Sequence, residues 1–160
     1  TYQSIFTAFN DAHIQYLVVG GLAVNLHGYP RFTGDIDVLL ALDHDNLHRM
    51  KKLMEQLGYQ QKVPVDLEDL DDEVNVKKWM ADKTLIAYSF YHPEAPQFGI
   101  DVIIGESLQF AKYDQAKMVV DVWDMQVPVV SIDDLIAMKR KIDRKQDAED
   151  VAALLELKGL

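Results

Sequence analysis

The chain contains no cysteine, so disulfide staples and thiolate metal centres are both excluded, and a reducing compartment is permitted. Bases are scarce: 16 Lys plus Arg stand against 26 Asp plus Glu, for a net charge of −10. A surface that acidic argues against broad, sequence-independent binding to nucleic acid, long duplex above all, and an anionic partner would need a local basic patch. No apolar run approaches the roughly 18 residues of a membrane span. The first twenty residues carry no basic segment followed by an apolar one, so a soluble, cytoplasmic protein is expected. Thr1, where an initiator Met would stand, points to a trimmed or processed start. With 160 residues, 49% of them hydrophobic, one domain over residues 1–160 with a real core is expected, and a second has little room.

Hydrophobic spacing and turn residues outline the elements. Ile5, Phe6, Phe9 and His13 fall at helical spacing, predicting a helix over 2–13. "YLVVGG" reads as a short strand ending in two glycines, and "LAVNLHG" as a helix that stops at Gly28. After the "YPRFTG" loop comes a strand over 36–42 whose apolar residues occupy both parities, as in a strand covered on both faces. Asp43 or Asp45 caps a helix running to Leu57, closed by Gly58. From Asp66 to Glu73 six acids occur without a base, which reads as a helix or an exposed acidic loop. "TLIAYSFY" and "FGIDVII" predict two strands joined by the Pro93 to Pro96 loop, and "KMVVDVWDMQVPVV" a hairpin turning near Asp124. Ser131 and Asp134 start a helix, and a last helix covers 146–158. The fold class is therefore α/β (α+β), a mixed sheet flanked by helices.

The residues that stand out are in "GDIDVLL", where Asp35 and Asp37 open an otherwise apolar run. An unpartnered buried charge costs several kcal/mol, so the pair needs a partner. On a strand the two carboxylates share one face while Ile36 points to the other. Magnesium is usually held by one or two carboxylates together with substrate phosphates. Asp101 in "GIDVII" also opens an apolar strand after a glycine and supplies a third acid, enough for two cations. Aspartates at strand ends also cap turns, and a Gly-Gly before a helix is also a plain turn.

"VVGGLAVNLHGYPRFTGDIDVLL" resembles the nucleotidyltransferase fold of the DNA polymerase β superfamily. That signature is Gly-Gly or Gly-Ser after an apolar residue, a spacer, then Asp, apolar, Asp or Glu, apolar. Here Gly20 and Gly21 are followed, after thirteen residues, by Asp35 and Asp37. The "HG", Arg31 and Thr33 ahead of "DID" are similar to AbiEii-type and related bacterial enzymes. So is "SIDDLIAMKRKIDRKQDAEDVAAL", a Leu-Ile-Ala-x-Lys helix followed by an Arg and two Asp. The resemblance covers nearly the whole chain, with 59–98 matched least well. It implies Mg²⁺-dependent transfer of NMP from an NTP to an acceptor hydroxyl on RNA, protein or a small molecule, with release of pyrophosphate. A toxin-antitoxin or phage-defence setting is implied in the same way.

Carried over residue by residue, the resemblance gives Asp35, Asp37 and Asp101 as catalytic and metal-binding residues, with Asp101 also helping to deprotonate the acceptor. Gly20, Gly21, Arg31, Thr33 and Lys139 then serve the nucleotide. Lys139 reads equally as an exposed helix lysine, and Arg144 with Asp147 as an ion pair fixing the last helices. The sequence has neither the large helical extension by which many AbiEii-type proteins engage the acceptor nor the Gly-Ser-Arg-Ala glycine motif of short antitoxins, so the acceptor stays open.

Three features lie outside this frame. His44 and His48 stand at zinc-compatible spacing but lack an evident third ligand. "KRKIDRK", residues 139–145, is the one concentrated basic segment, either a solvated helix face or a phosphate-binding stripe. A non-catalytic protein-binding module keeping the fold, and a two-metal nuclease, are the rival functions. The glycine pair speaks against the nuclease, which needs no triphosphate site.

Overall fold

The computed structural model describes residues 1–81, 86–142 and 144–159. Helix α1 (Tyr2–Asp11) starts at a capping box built on Thr1 and Ser4, and buries Ile5, Phe6 and Phe9. Strand β1 (Tyr16–Val19) is buried along its whole length and passes directly into α2 (Gly20–Leu26). Strand β2 (Ile36–Leu40) follows, then α3 (His44–Leu57), which Asp43 caps and Gly58 ends in the left-handed conformation at φ 84°. The acidic stretch is a 3-10 turn over Leu67–Asp71 anchored by buried Leu67 and Leu70, followed by α4 (Glu73–Ala81). It is thus held from below by two leucines and tied to α3 by half-buried Asp66 and Glu68, which pair with Lys51 and His48, while Asp69, Asp71, Asp72 and Glu73 face solvent.

A two-residue strand β3 (Gln60–Gln61), β4 (Ala87–Tyr91) and β5 (Ile100–Ile103) build one side of the sheet. Thr84 and Leu85 of the predicted "TLIAYSFY" strand lie outside the described residues. Two short helices, α5 (Ile104–Ser107) and α6 (Phe110–Gln115), come next. Strands β6 (Met118–Val122) and β7 (Met125–Val129) form the expected hairpin, its turn at Trp123 and Asp124, both at positive φ. The chain continues through α7 (Ile132–Ile142), whose Asp134 amide donates to Ser131 Oγ at 3.1 Å, and α8 (Lys145–Gly159).

Among the described residues, seven strands make one mixed sheet in the order β3-β4-β5-β2-β1-β7-β6. Strands β2 and β5 are parallel, as are β1 and β7, while β1 and β2 are antiparallel. The central strand β2 is buried on both faces beyond Asp37, since Val38, Leu39 and Leu40 are fully buried, as its two-parity pattern predicts. Helices α7 and α8 pack on each other and on α2. They bring the C-terminal part of the chain against the junction of β1 and α2.

Candidate active site

Strand register assembles the acids. Asp37 pairs with Asp101 across the parallel β2 and β5, and Asp37 pairs with Val19, the last residue before Gly20, across β1 and β2. Gly20 has φ +67°, and a Cβ there would lie 2.2 Å from Asp37 Oδ2. The turn from β1 into α2 therefore closes directly on the carboxylate, which only glycine allows. Asp35 stands just before β2 and is exposed, its carboxylate against Gly99, where a Cβ would come within 2.6 Å of Oδ1. Ile36 between the acids is fully buried and takes a 2.8 Å backbone bond to the Gly99 carbonyl, fixing the alternation.

Three carboxylates gathered at the ends of buried strands disturb one another. Burial first, then the charges of Asp101 and Asp35 and a hydrogen bond shared with Asp101, push the Asp37 carboxyl up to about 7, against the opposing pull of Lys139. Among the described residues no group of three carboxylate or imidazole side chains is arranged to hold a metal ion unaided. The donor set nonetheless fits Mg²⁺, which takes hard oxygens and completes its shell with water and phosphate. A cation would also remove the repulsion that raises Asp37.

The loop from α2 to β2 supplies the next wall. Asn25 Nδ2 donates to the Arg31 carbonyl at 2.7 Å, and the Tyr2 hydroxyl donates to the carbonyls of Thr33 at 3.2 Å and Gly34 at 3.0 Å. With its backbone held so, the loop folds the Arg31 and Thr33 side chains over Gly21, where a Cβ would lie 2.2 Å from Arg31 Nη1 and 2.8 Å from Thr33 Oγ1. Phe32 between them is 90% exposed on the rim. The result is a polar cleft of about 270 Å³ lined by Gly21, Arg31, Thr33, Asp35, Asp37 and Asp101. Lys139, Arg144 and Gln146 form its opposite wall.

Lys139 corrects the exposed-lysine alternative. It is only 5% exposed, and its Nζ lies 3.3 Å from Asp147 Oδ1 and 3.0 Å from Asp150 Oδ2, both aspartates being buried. Asp150 in turn receives Arg31 Nε at 3.4 Å and Gln146 Nε2 at 3.1 Å. Arg144 and Asp147 do form the expected ion pair, with Nε 2.7 Å from Oδ2. Burial alone would raise Asp147, but the hydrogen bonds and charges of Arg144 and Lys139 hold it below the usual carboxylate range. Three cations thus share two buried aspartates, leaving one net positive charge beside the three acids. The Asp150 contacts to Arg31 and Lys139 escaped sequence reasoning. The available signal was two acids three apart on a helix whose other face is apolar.

The basic segment is therefore no single stripe, because Lys139 points inward, Lys141 pairs with Glu106 at 3.1 Å and Arg144 with Asp147. Asp143 within it lies outside the described residues. His44 lies 3.5 Å from Asp71 and His48 pairs with Glu68, so each imidazole has a carboxylate partner on the exposed side of α3.

Comparison with known proteins bears on the fold and the family. Among solved structures, the lincosamide antibiotic adenylyltransferase LnuA, solved with lincomycin bound, superposes with a TM-score of 0.62 at 17% identity, covering 96% of this chain and 94% of that one. A nucleotidyltransferase-like antigenic protein from Paracoccidioides brasiliensis gives 0.60 at 18% identity, over 97% and 73% of the two chains. ANT(2")-Ia in complex with adenylyl-2"-tobramycin gives 0.57 at 14%, over 94% and 83%. At such identities these relatives share the fold. No curated protein matches the chain by sequence. No helix among the described residues is long and apolar enough to cross a membrane. The family described as "Nucleotidyl transferase AbiEii toxin, Type IV TA system" matches residues 5–159, nearly the whole sequence, and the chain belongs to this nucleotidyltransferase family.

Proposed function

We propose that the chain transfers NMP from an NTP to an acceptor hydroxyl, with Asp35, Asp37 and Asp101 as the reacting centre. The observation that carries this reading is the in-register pairing of Asp37 with Asp101 beside Gly20, where the pull of Lys139 does not offset burial and the neighbouring acids. Asp35 and Asp37 would hold two Mg²⁺ ions and Asp101 would complete the set. Bound there, Mg²⁺ supplies charge neutralisation for the phosphates and lowers the pKa of the attacking hydroxyl. The acceptor oxygen attacks the α-phosphorus, the bond to the β-phosphate oxygen breaks, pyrophosphate departs, and Asp101 receives the acceptor proton.

Arg31, Thr33 and Lys139, with Gly21 keeping the backbone open to them, serve the β- and γ-phosphates. The net positive charge of the Arg31–Lys139–Arg144 cluster over Asp147 and Asp150 supports this role. The family description names a toxin of type IV toxin-antitoxin systems, which supports a toxin-antitoxin role, with phage defence as the wider setting. A cytoplasmic setting, where NTPs and Mg²⁺ abound, goes with it. The acceptor is an RNA end, a protein or a small molecule.

The test is incubation with each NTP labelled at the α- or γ-phosphate, Mg²⁺, and the RNA, protein and small-molecule fractions of a cell lysate. Label from the α-position alone should enter one fraction. Transfer of γ-label would make the protein a kinase, and absence of α-label from every fraction would favour the non-catalytic binding module.

A further inference from the structure

A second cleft, of about 310 Å³, meets the polar one at Asp37. Its walls are Val19, Leu39, Ile103, Leu135, Met138 and Ile142, so it lies on the open face of the sheet between α7 and the α4–α5 side. Met80 closes one side, folded over Gly105, where a Cβ would lie 2.7 Å from Met80 Cε. Three of the large apolar side chains exposed to solvent lie on this one cleft: Met80 at 38%, Ile86 at 72% and Ile142 at 55%. Leaving them in water is unfavourable, and their grouping beside a reactive carboxylate marks a binding surface. The rim charges are already committed, since Glu106 accepts from the Tyr113 hydroxyl at 2.5 Å and from Lys141 at 3.1 Å.

Resting on the nucleotidyltransfer reading, we propose that this apolar cleft takes the nucleoside of the NTP, while the polar cleft takes its β- and γ-phosphates. An NTP is a flat ring joined through ribose to a polyanion, and the two clefts reproduce that division. Gly20 lines the apolar cleft and Gly21 the polar one, while Asp37, Lys139 and Arg144 line both. The α-phosphate, which must lie at the carboxylates, then falls where the clefts meet. The thioethers of Met80 and Met138 suit an aromatic ring, because sulfur packs favourably at ring edges. The polar side chains lining the cleft are Asp37, at the reacting centre, and Glu106, Lys139, Lys141 and Arg144, which are engaged in ion pairs, so the bases are told apart weakly and several NTPs serve as donors.

Two probes separate the halves of the site: Mg²⁺ with an α,β-methylene NTP, and Mg²⁺ with inorganic tripolyphosphate. Ile86→Gln and Ile142→Gln are chosen because both side chains are already exposed, so folding survives. Each variant should weaken the NTP analogue about fivefold, the effect of losing roughly 40 Å² of apolar contact. Each should leave tripolyphosphate within twofold of wild type. In wild type the ATP, GTP, CTP and UTP analogues should bind within about tenfold of one another. If both variants bind the NTP analogue as wild type does, the nucleoside lies elsewhere. A rise confined to the acceptor's KM would likewise overturn the assignment, giving the cleft to the acceptor. If wild type binds neither probe, the nucleotidyltransfer reading itself fails, and this inference with it.

Discussion

Asp37 and Asp101 face each other in parallel register across β2 and β5, with Gly20 closed against the Asp37 carboxylate. The fold thereby holds together two groups of like charge that water would keep apart. A structure retains such a conflict when a ligand resolves it.

The first prediction concerns pH without metal. Asp37 titrates near 7 in the native state, against 3.8 when unperturbed, so between these values the folded chain keeps a proton that the unfolded chain has lost. Its contribution to stability is fully present below about pH 4 and lost as pH rises to about 7. Asp37→Asn removes this dependence. In chelator, wild type and variant should melt alike near pH 4, with the variant the more stable by a few kcal/mol at pH 8. Parallel stability curves from pH 4 to 8 would mean that Asp37 is ionised throughout.

A second prediction tests the close approach at the strand-to-helix turn. Gly20→Ala should cost roughly 1–2 kcal/mol for the left-handed conformation alone, and more because the new methyl collides with Asp37. In an Asp37→Ala background only the conformational cost should remain. Urea denaturation of the four proteins in that cycle measures the difference. Equal costs in both backgrounds would show that Gly20 does not press on Asp37.

A third concerns Lys139. Replacing it with Met leaves two buried aspartates with one fewer cation and should destabilise the protein by about 3 kcal/mol. Adding Asp150→Asn should recover part of that loss. Denaturant melts check both, and a cost below 0.5 kcal/mol, the range of ordinary surface substitutions, would contradict the buried network.

What the sequence made legible is whatever local pattern encodes. Asp35, Ile36 and Asp37 alternate as a strand must, Gly58 closes α3, and Arg144 with Asp147 sit one helical turn apart. The AbiEii-type resemblance, too, rested on contiguous motifs, and the family match extends it through 59–98. The exposed alternative for Lys139 arose because a lysine within "KRKIDRK" reads as surface by composition, while its partners Asp147 and Asp150 arrive on the next helix. Strand β3 and helices α5 and α6 are too short to carry a period; the pairing of Gln60 with Tyr91 and of Gln61 with Phe90 creates β3. The apolar cleft draws on β1, β2, β5, α4 and α7 at once, and no linear pattern announces it.

The most direct test of the central claim, that Asp37 anchors the metal-bound NTP, is a pair of thermal melts on wild type and on Asp37→Asn, each with and without Mg²⁺ plus an α,β-methylene NTP. At about 100 times the dissociation constant, ligand should stabilise wild type by roughly 2.7 kcal/mol. Near neutral pH the variant should melt at or above wild type without ligand and gain much less when ligand is added. Equal ligand-induced shifts in the two proteins would contradict it.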